Sequence, residues 1–194
     1  MLGMWARDVL RAAHSYYQAA VRAAWTDRAI EYGEDWSPDQ ADLPVEIEQV
    51  WVRGYHLVMA ATQMEQWLGV YRRLTAEPTA GGDDDTEQDE HDQLLKTLRN
   101  TIEHLSDAQL THYAARRHPG SQRRRESITQ LPGEELFLGF AAGFENDLFG
   151  LVNVTTLVEK ARALADVDRD RTYDDFEPDD IDYENMLYDY DDGV

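Results

Sequence analysis

Between residues 47 and 71, apolar or small residues recur at alternating spacings of three and four: Ile47, Val50, Gly54, Leu57, Ala61, Met64, Leu68 and Tyr71. That period puts all eight on one stripe of a helix, the seam of a helix packed nearly antiparallel on another. The pattern predicts a helix from about 45 to 75. At 1.5 Å per residue such a helix is roughly 40 Å long, the dimension of a bundle rather than of a compact mixed fold.

A partner of matching length precedes it. Residues 4–32 are rich in Ala and free of Pro, with Leu10, Ala13, Tyr17, Ala20 and Ala24 on one face. "GEDWSPDQADLP", with Gly33 and two prolines, is a connecting loop by composition. The polar stretch "AEPTAGGDDDTEQDEHD" reads as a flexible connection. Leu94, Leu95, Leu98, Ile102 and Leu105 then define a third helix, which continues or restarts at Ser106 through "SDAQLTHYAARR" until His118, Pro119 and Gly120 stop it.

The next part is not helical. "SITQLPGEELFLGF" holds two short β-prone runs joined at Pro132 and Gly133, a pair that sets the two angles of a tight turn. "LFGLV", residues 148–152, is a candidate third strand. Thr156 and Glu159 have capping-box spacing, and Leu157, Val158, Ala161 and Leu164 mark a last helix to about 168. The expected fold is mainly α: a four-helix up-and-down bundle with a small β-hairpin insertion before the last helix and an acidic C-terminal tail. Residues 1–171 form the bundle domain, with the insertion at about 127–152, and residues 172–194 the tail.

Charge is unevenly spread. The formal net charge is −21, yet "RRHPGSQRRR" places Arg116, Arg117, Arg123, Arg124 and Arg125 within ten residues. Residues 172–194 carry ten acidic side chains and no basic one, interleaved with Tyr173, Phe176, Tyr183, Leu187, Tyr188 and Tyr190. The arginine patch fits phosphate or the chain's own carboxylates equally well. The tail's aromatics suit docking on a protein partner or on the patch itself. With no Cys there is no disulfide and no thiolate chemistry. No leader-like or membrane-spanning apolar run is apparent, so no membrane association and a cytoplasmic location are expected.

The chemistry-bearing stretch is "LRNTIEHL", residues 98–105. On a wheel of about 100° per residue, Leu95, Leu98, Ile102 and Leu105 share an arc of roughly 80°, and Arg99, Asn100, Glu103 and His104 fall outside it. From the residues alone this is a solvated face with an i,i+4 Arg99–Glu103 pair, or a reaction centre.

Arg, Asn, three residues and His on a late helix of a four-helix bundle resembles the HEPN superfamily, named for nucleotide-binding proteins of higher eukaryotes and prokaryotes. Many members are metal-independent RNases acting as toxins or defence effectors; others are inactive bundles that serve as partners. The resemblance implies Arg99 and His104 as catalytic residues, supported by Asn100 and Glu103. It covers residues 4–168 as architecture and one short stretch as motif. Ser106 stands where some toxin members carry a modifiable Tyr, so that mode of control is not implied, and the tail and insertion lie outside the minimal family bundle.

The chemistry stands without the family. RNA carries its own nucleophile, the 2′-OH, so cleavage needs a proton-transfer group near neutral pH and a cation at the phosphate. His104 and Arg99 supply these, with no metal or cofactor called for. One set per chain predicts a homodimer with two motifs facing across a cleft. The ligand spacings of di-iron bundles and zinc proteases are missing, and Asp89, His91 and Asp92 read as a solvated charge run. The rival to an RNase is a non-catalytic helical interaction protein whose acidic tail binds a basic partner surface.

Overall fold

The structure, a computed structural model, describes residues 1–33, 42–75, 86–105, 108–111, 113–117, 127–138 and 147–167, with only the backbone of residues 86–91, 110, 117 and 127. The arginines at 123–125 and the tail from 168 onward lie outside the described residues. The bundle is built from α1 (Leu2–Tyr32), α2 (Asp42–Thr75), α3 (Thr86–Glu103) and α4 (Val154–Leu164). As expected, short antiparallel strands stand before the last helix.

The α1–α2 pair is the spine. On α1 the buried stripe is Leu2, Ala6, Val9, Ala13, Tyr16, Ala20 and Ala23; on α2 it is Ile47, Val50, Gly54, Leu57, Ala61, Met64 and Leu68. Both alternate spacings of three and four, so each stripe stays facing the other over about 30 Å. The small residues of α1 let the backbones approach. Two expectations shift: the buried tyrosine of α1 is Tyr16 rather than Tyr17, and Tyr71 is 42 % exposed rather than part of the seam. The first helix ends as a glycine stop, with Gly33 in the left-handed region at φ 61° and its N–H bonded back to Ala29 and Ile30.

The third helix departs from expectation at both ends. It begins at Thr86, inside the acidic run assigned to the connection, and it stops at Glu103 instead of continuing through "SDAQLTHYAARR". That stretch is a β-hairpin, β1 (Ala108–Leu110) and β2 (Ala114–Arg117). Tertiary pairing overrides the helix-forming alanines: Ala114 and Ala115 are buried and pair with Phe137 and Leu136 of β3 (Glu135–Phe137) in a three-stranded sheet. Tyr113 anchors the hairpin to α1 by donating to Asp27 Oδ1 at 3.0 Å. The β insertion therefore starts near residue 108 rather than 127.

Residues 127–130 are a 3₁₀ turn, not a strand. The Pro132–Gly133 turn does form: Gly133 takes φ 72° and Glu134 N–H bonds Leu131 O at 3.1 Å. "LFGLV" folds into a second hairpin, β4 (Asp147–Leu148) and β5 (Val152–Asn153), turning through Phe149 and Gly150. Asn153, not Thr156, caps α4: its Oδ1 accepts the Thr156 N–H at 3.0 Å. At the other end of α4, Arg7 Nη1 donates to Ala165 O at 2.6 Å, placing a cation on the last carbonyls.

Across the bundle, Lys160 of α4 meets Glu65 of α2, Nζ to Oε1 2.5 Å, with Asp92 of α3 at 4.0 Å. Burial is the main force pushing the Glu65 carboxyl above its ordinary range; the Lys160 ammonium opposes it and Asp92 adds to it. No helix among the described residues is long and apolar enough to cross a membrane.

The Arg99–His104 helix end, a candidate active site

Residues 98–105 sit where α3 runs out. Leu95, Leu98 and Ile102 are buried as expected, but so are Thr97 and Thr101. Each threonine hydroxyl folds back onto a carbonyl one turn earlier, Thr97 onto Gln93 and Thr101 onto Thr97, both at 2.9 Å, so neither hydroxyl is left unpaired in the interior. The packed arc of α3 is thus wider than the leucine pattern suggested, because α3 is flanked by α2 and by the 3₁₀ turn at 127–130.

The four motif residues remain outside that arc. Arg99 and Glu103 form the expected i,i+4 pair, with Nε–Oε1 3.4 Å and Nη2–Oε2 3.5 Å and side chains 28 % and 34 % exposed. These distances are long for an Arg–carboxylate fork. Arg99 Nε is shielded from solvent and has no aligned hydrogen bond, so its contact with Oε1 is ionic only. Such a partly exposed pair contributes about 0.3–0.5 kcal/mol and exchanges readily for another anion. Asn100 is half-buried, one step round the helix. His104 lies in the turn after Glu103, its N–H on Thr101 O at 3.1 Å and its side chain exposed.

The arginine patch is only partly within the described residues. Arg116, on β2, is well exposed and pairs with Glu135 across the sheet at 2.9 Å, in the register that sets these two residues opposite each other. Arg117 ends β2. Among the described residues, no cluster of three or more His, Cys, Asp or Glu side chains is placed to hold a metal ion.

A feature invisible in the sequence lies beside the motif. Trp51, Val52 and Tyr55 of α2 face Ile102 and Leu105 across an open groove of about 790 Å³, with Glu48 the charged group among the described residues of its wall. Val52 and Tyr55 are 46 % and 36 % exposed. The spacing 51, 52, 55 was available as a second apolar stripe on α2, but nothing in it says that the stripe faces a groove rather than a packed neighbour. Arg99 and His104 are not in its walls. The chain matches no family model, no curated protein and no solved structure.

Proposed function

We propose that this chain is a metal-independent endoribonuclease of the HEPN type, of the kind that toxins and defence effectors use. The observation that carries the reading is the exposed His104 at the end of α3, with Arg99 outside the packed arc a little over one turn back. In the reaction, the 2′-oxygen attacks phosphorus and the 5′-oxygen leaves, giving a cyclic phosphate. His104 takes the 2′-OH proton, and the partner's His104 donates one to the departing oxygen. Arg99 exchanges Glu103 for the phosphate and holds the charge that builds there. Asn100 orients the phosphate or the imidazole. Because one chain offers one set, the active species is a homodimer with facing motifs.

A second reading has its own observation. Arg99 already carries a carboxylate, and an apolar groove opens next to it. Those two facts favour a helical interaction protein that uses the HEPN-like scaffold without cutting RNA, its acidic tail binding a basic partner surface.

The test is to incubate the full chain with total RNA in EDTA beside His104→Ala. The RNase reading expects cleavage that survives EDTA and disappears in the variant, with the melting temperature unchanged, since an exposed substitution shifts stability by under about 0.5 kcal/mol. Equal cleavage by both proteins overturns it. So does a large fall in melting temperature, which would make His104 structural.

A further inference from the structure

The groove between α2 and the end of α3 combines three features that one ligand chemistry satisfies together. Its walls are apolar and aromatic, with Trp51, Val52 and Tyr55 on one side and Ile102 and Leu105 on the other. Among the described residues of the wall, Glu48 is the charged group. The volume of about 790 Å³ is in the range of sites that enclose a whole small molecule. We propose that this groove binds a lipophilic organic cation, a positive charge carried on an apolar, ring-bearing body.

The helix sets the charge beside the rings. Glu48 stands three residues before Trp51, four before Val52 and seven before Tyr55, so all four share one face of α2. Val52 and Tyr55 are open to a ligand. Trp51 is braced by Phe149, ring centroids 5.3 Å apart, so this wall is held in place before a ligand arrives. Ring faces attract a cation, and the carboxylate adds a direct Coulomb attraction that apolar walls strengthen by excluding water.

The sign of the charge selects the class. From Asp42 to Val52, α2 carries Asp42, Glu46 and Glu48 and no basic side chain. The positive helix N-terminus is met by Asp42 in the first turn, and its effect fades beyond that turn. Arg99, the cation of the neighbouring motif, lies outside the groove wall and is paired with Glu103. Among the described residues no hydrogen bond or ion pair holds the Glu48 carboxylate. An anion in the groove would meet Glu48 with no wall cation to compensate, and a neutral apolar ligand would desolvate the carboxylate and return nothing for it. A cation on an apolar body satisfies the charge and the walls at once. The net charge of −21 also raises the local concentration of such ligands. The binding does not depend on whether the chain cuts RNA.

Tetraphenylphosphonium and tetraphenylborate share one shape and carry opposite charges, so titration calorimetry of the full chain with each isolates the sign. The expected result is saturable binding of the phosphonium and roughly tenfold weaker binding of the borate, at about 0.15 M salt, where the long-range pull of the whole chain is screened. Glu48→Gln should weaken phosphonium binding by roughly fivefold or more and erase the preference, since it removes the carboxylate and keeps the walls. Glu159→Gln, which removes an exposed carboxylate from α4, should leave both affinities unchanged. Val52→Arg should also block the phosphonium, because it sets a guanidinium four residues after Glu48. Positions 48 and 52 are exposed, so the melting temperature should hold in each variant. Borate bound as tightly as phosphonium, no saturable phosphonium binding, or equal losses in Glu48→Gln and Glu159→Gln would each overturn the proposal.

Discussion

The Phe149 ring is seated on Gly54: a Cβ at position 54 would stand 2.8 Å from Phe149 Cζ and 3.3 Å from a ring carbon of Tyr16. Phe149 reaches this place at a cost, because its backbone is held at φ 56°, a conformation L residues rarely adopt. That strain is on the order of 1–2 kcal/mol and is offset by burying the ring, 2 % exposed and stacked 5.3 Å from Trp51. The hairpin that precedes α4 is thereby plugged into the α1–α2 seam.

Three substitutions test the plug. Gly54→Ala forces the ring to move and should destabilise by about 1–3 kcal/mol. Phe149→Ala removes the ring and should cost about 3–5 kcal/mol. Phe149→Gly should be no worse than Phe149→Ala, since glycine relieves the strained turn. Urea midpoints read all three. A Phe149→Gly protein clearly less stable than Phe149→Ala would show that the turn carries no strain.

This relationship also shows what the sequence reveals and what it hides. The α2 seam was legible because its period repeats over eight positions, and seven of those residues are buried. "LFGLV" reads as a strand because nothing local marks Phe149 for the left-handed region; only Gly54, ninety-five positions earlier, makes room for it. "SDAQLTHYAARR" reads as helix because its propensity is local, while the pairing of Ala114 and Ala115 with β3 is not. For the site, the Arg99–Glu103 pair follows directly from i,i+4 spacing. The burial of Thr97 and Thr101 does not, since a threonine enters a core only when its hydroxyl finds a backbone acceptor.

The Glu65–Lys160 pair makes a prediction with a pH sign. Lys160→Met strands a buried carboxylate and should cost about 3–5 kcal/mol at neutral pH. A carboxyl whose folded pKa is raised above its unfolded value favours folding in acid, and that contribution is lost as pH rises through the raised value. Without the ammonium the carboxyl is raised further, so the variant's deficit should shrink on acidification. The double variant Glu65→Leu, Lys160→Met should recover most of the loss. Denaturation of the three proteins across mildly acid to neutral pH is the measurement; a pH-independent deficit would show that Glu65 is not the stranded charge.

Two tyrosines should titrate late. Burial is the main cause that lifts the Tyr16 and Tyr113 hydroxyls to about 12, with Asp147 adding to Tyr16 and Asp27 adding to Tyr113. A backbone hydrogen bond involving Phe149 acts in the other direction on Tyr16. Their contribution to stability is complete below the ordinary tyrosine value of about 10 and is lost as pH climbs from 10 towards 12. Phenolate absorbance should therefore show a late-rising component from Tyr16 and Tyr113, with that last rise accompanying unfolding. Tyr113→Phe should delete one lagging group and cost about 0.5–1.5 kcal/mol for the lost bond to Asp27. Simultaneous titration of all ten in the folded protein would contradict the placement of both.

The last prediction concerns Glu103 and follows from its hold on Arg99. If Arg99 is the phosphate-binding cation, Glu103 competes with RNA for it, and the two contacts at 3.4 and 3.5 Å are what RNA must displace. Glu103→Gln keeps the shape and removes the competing charge. It should tighten binding of a short single-stranded RNA by roughly two- to fivefold at low salt, the equivalent of a 0.3–1 kcal/mol exposed pair. The gain should fade as salt screens the charges. Arg99→Ala should weaken binding, and in that background Glu103→Gln should add little more than the removal of a nearby repelling charge. Cleavage by Glu103→Gln separates two roles for the carboxylate: retained activity leaves Glu103 as a placeholder for phosphate, whereas tighter binding with lost cleavage makes it part of the proton-transfer machinery. Unchanged affinity in Glu103→Gln together with unchanged affinity in Arg99→Ala would remove this helix end as the RNA contact.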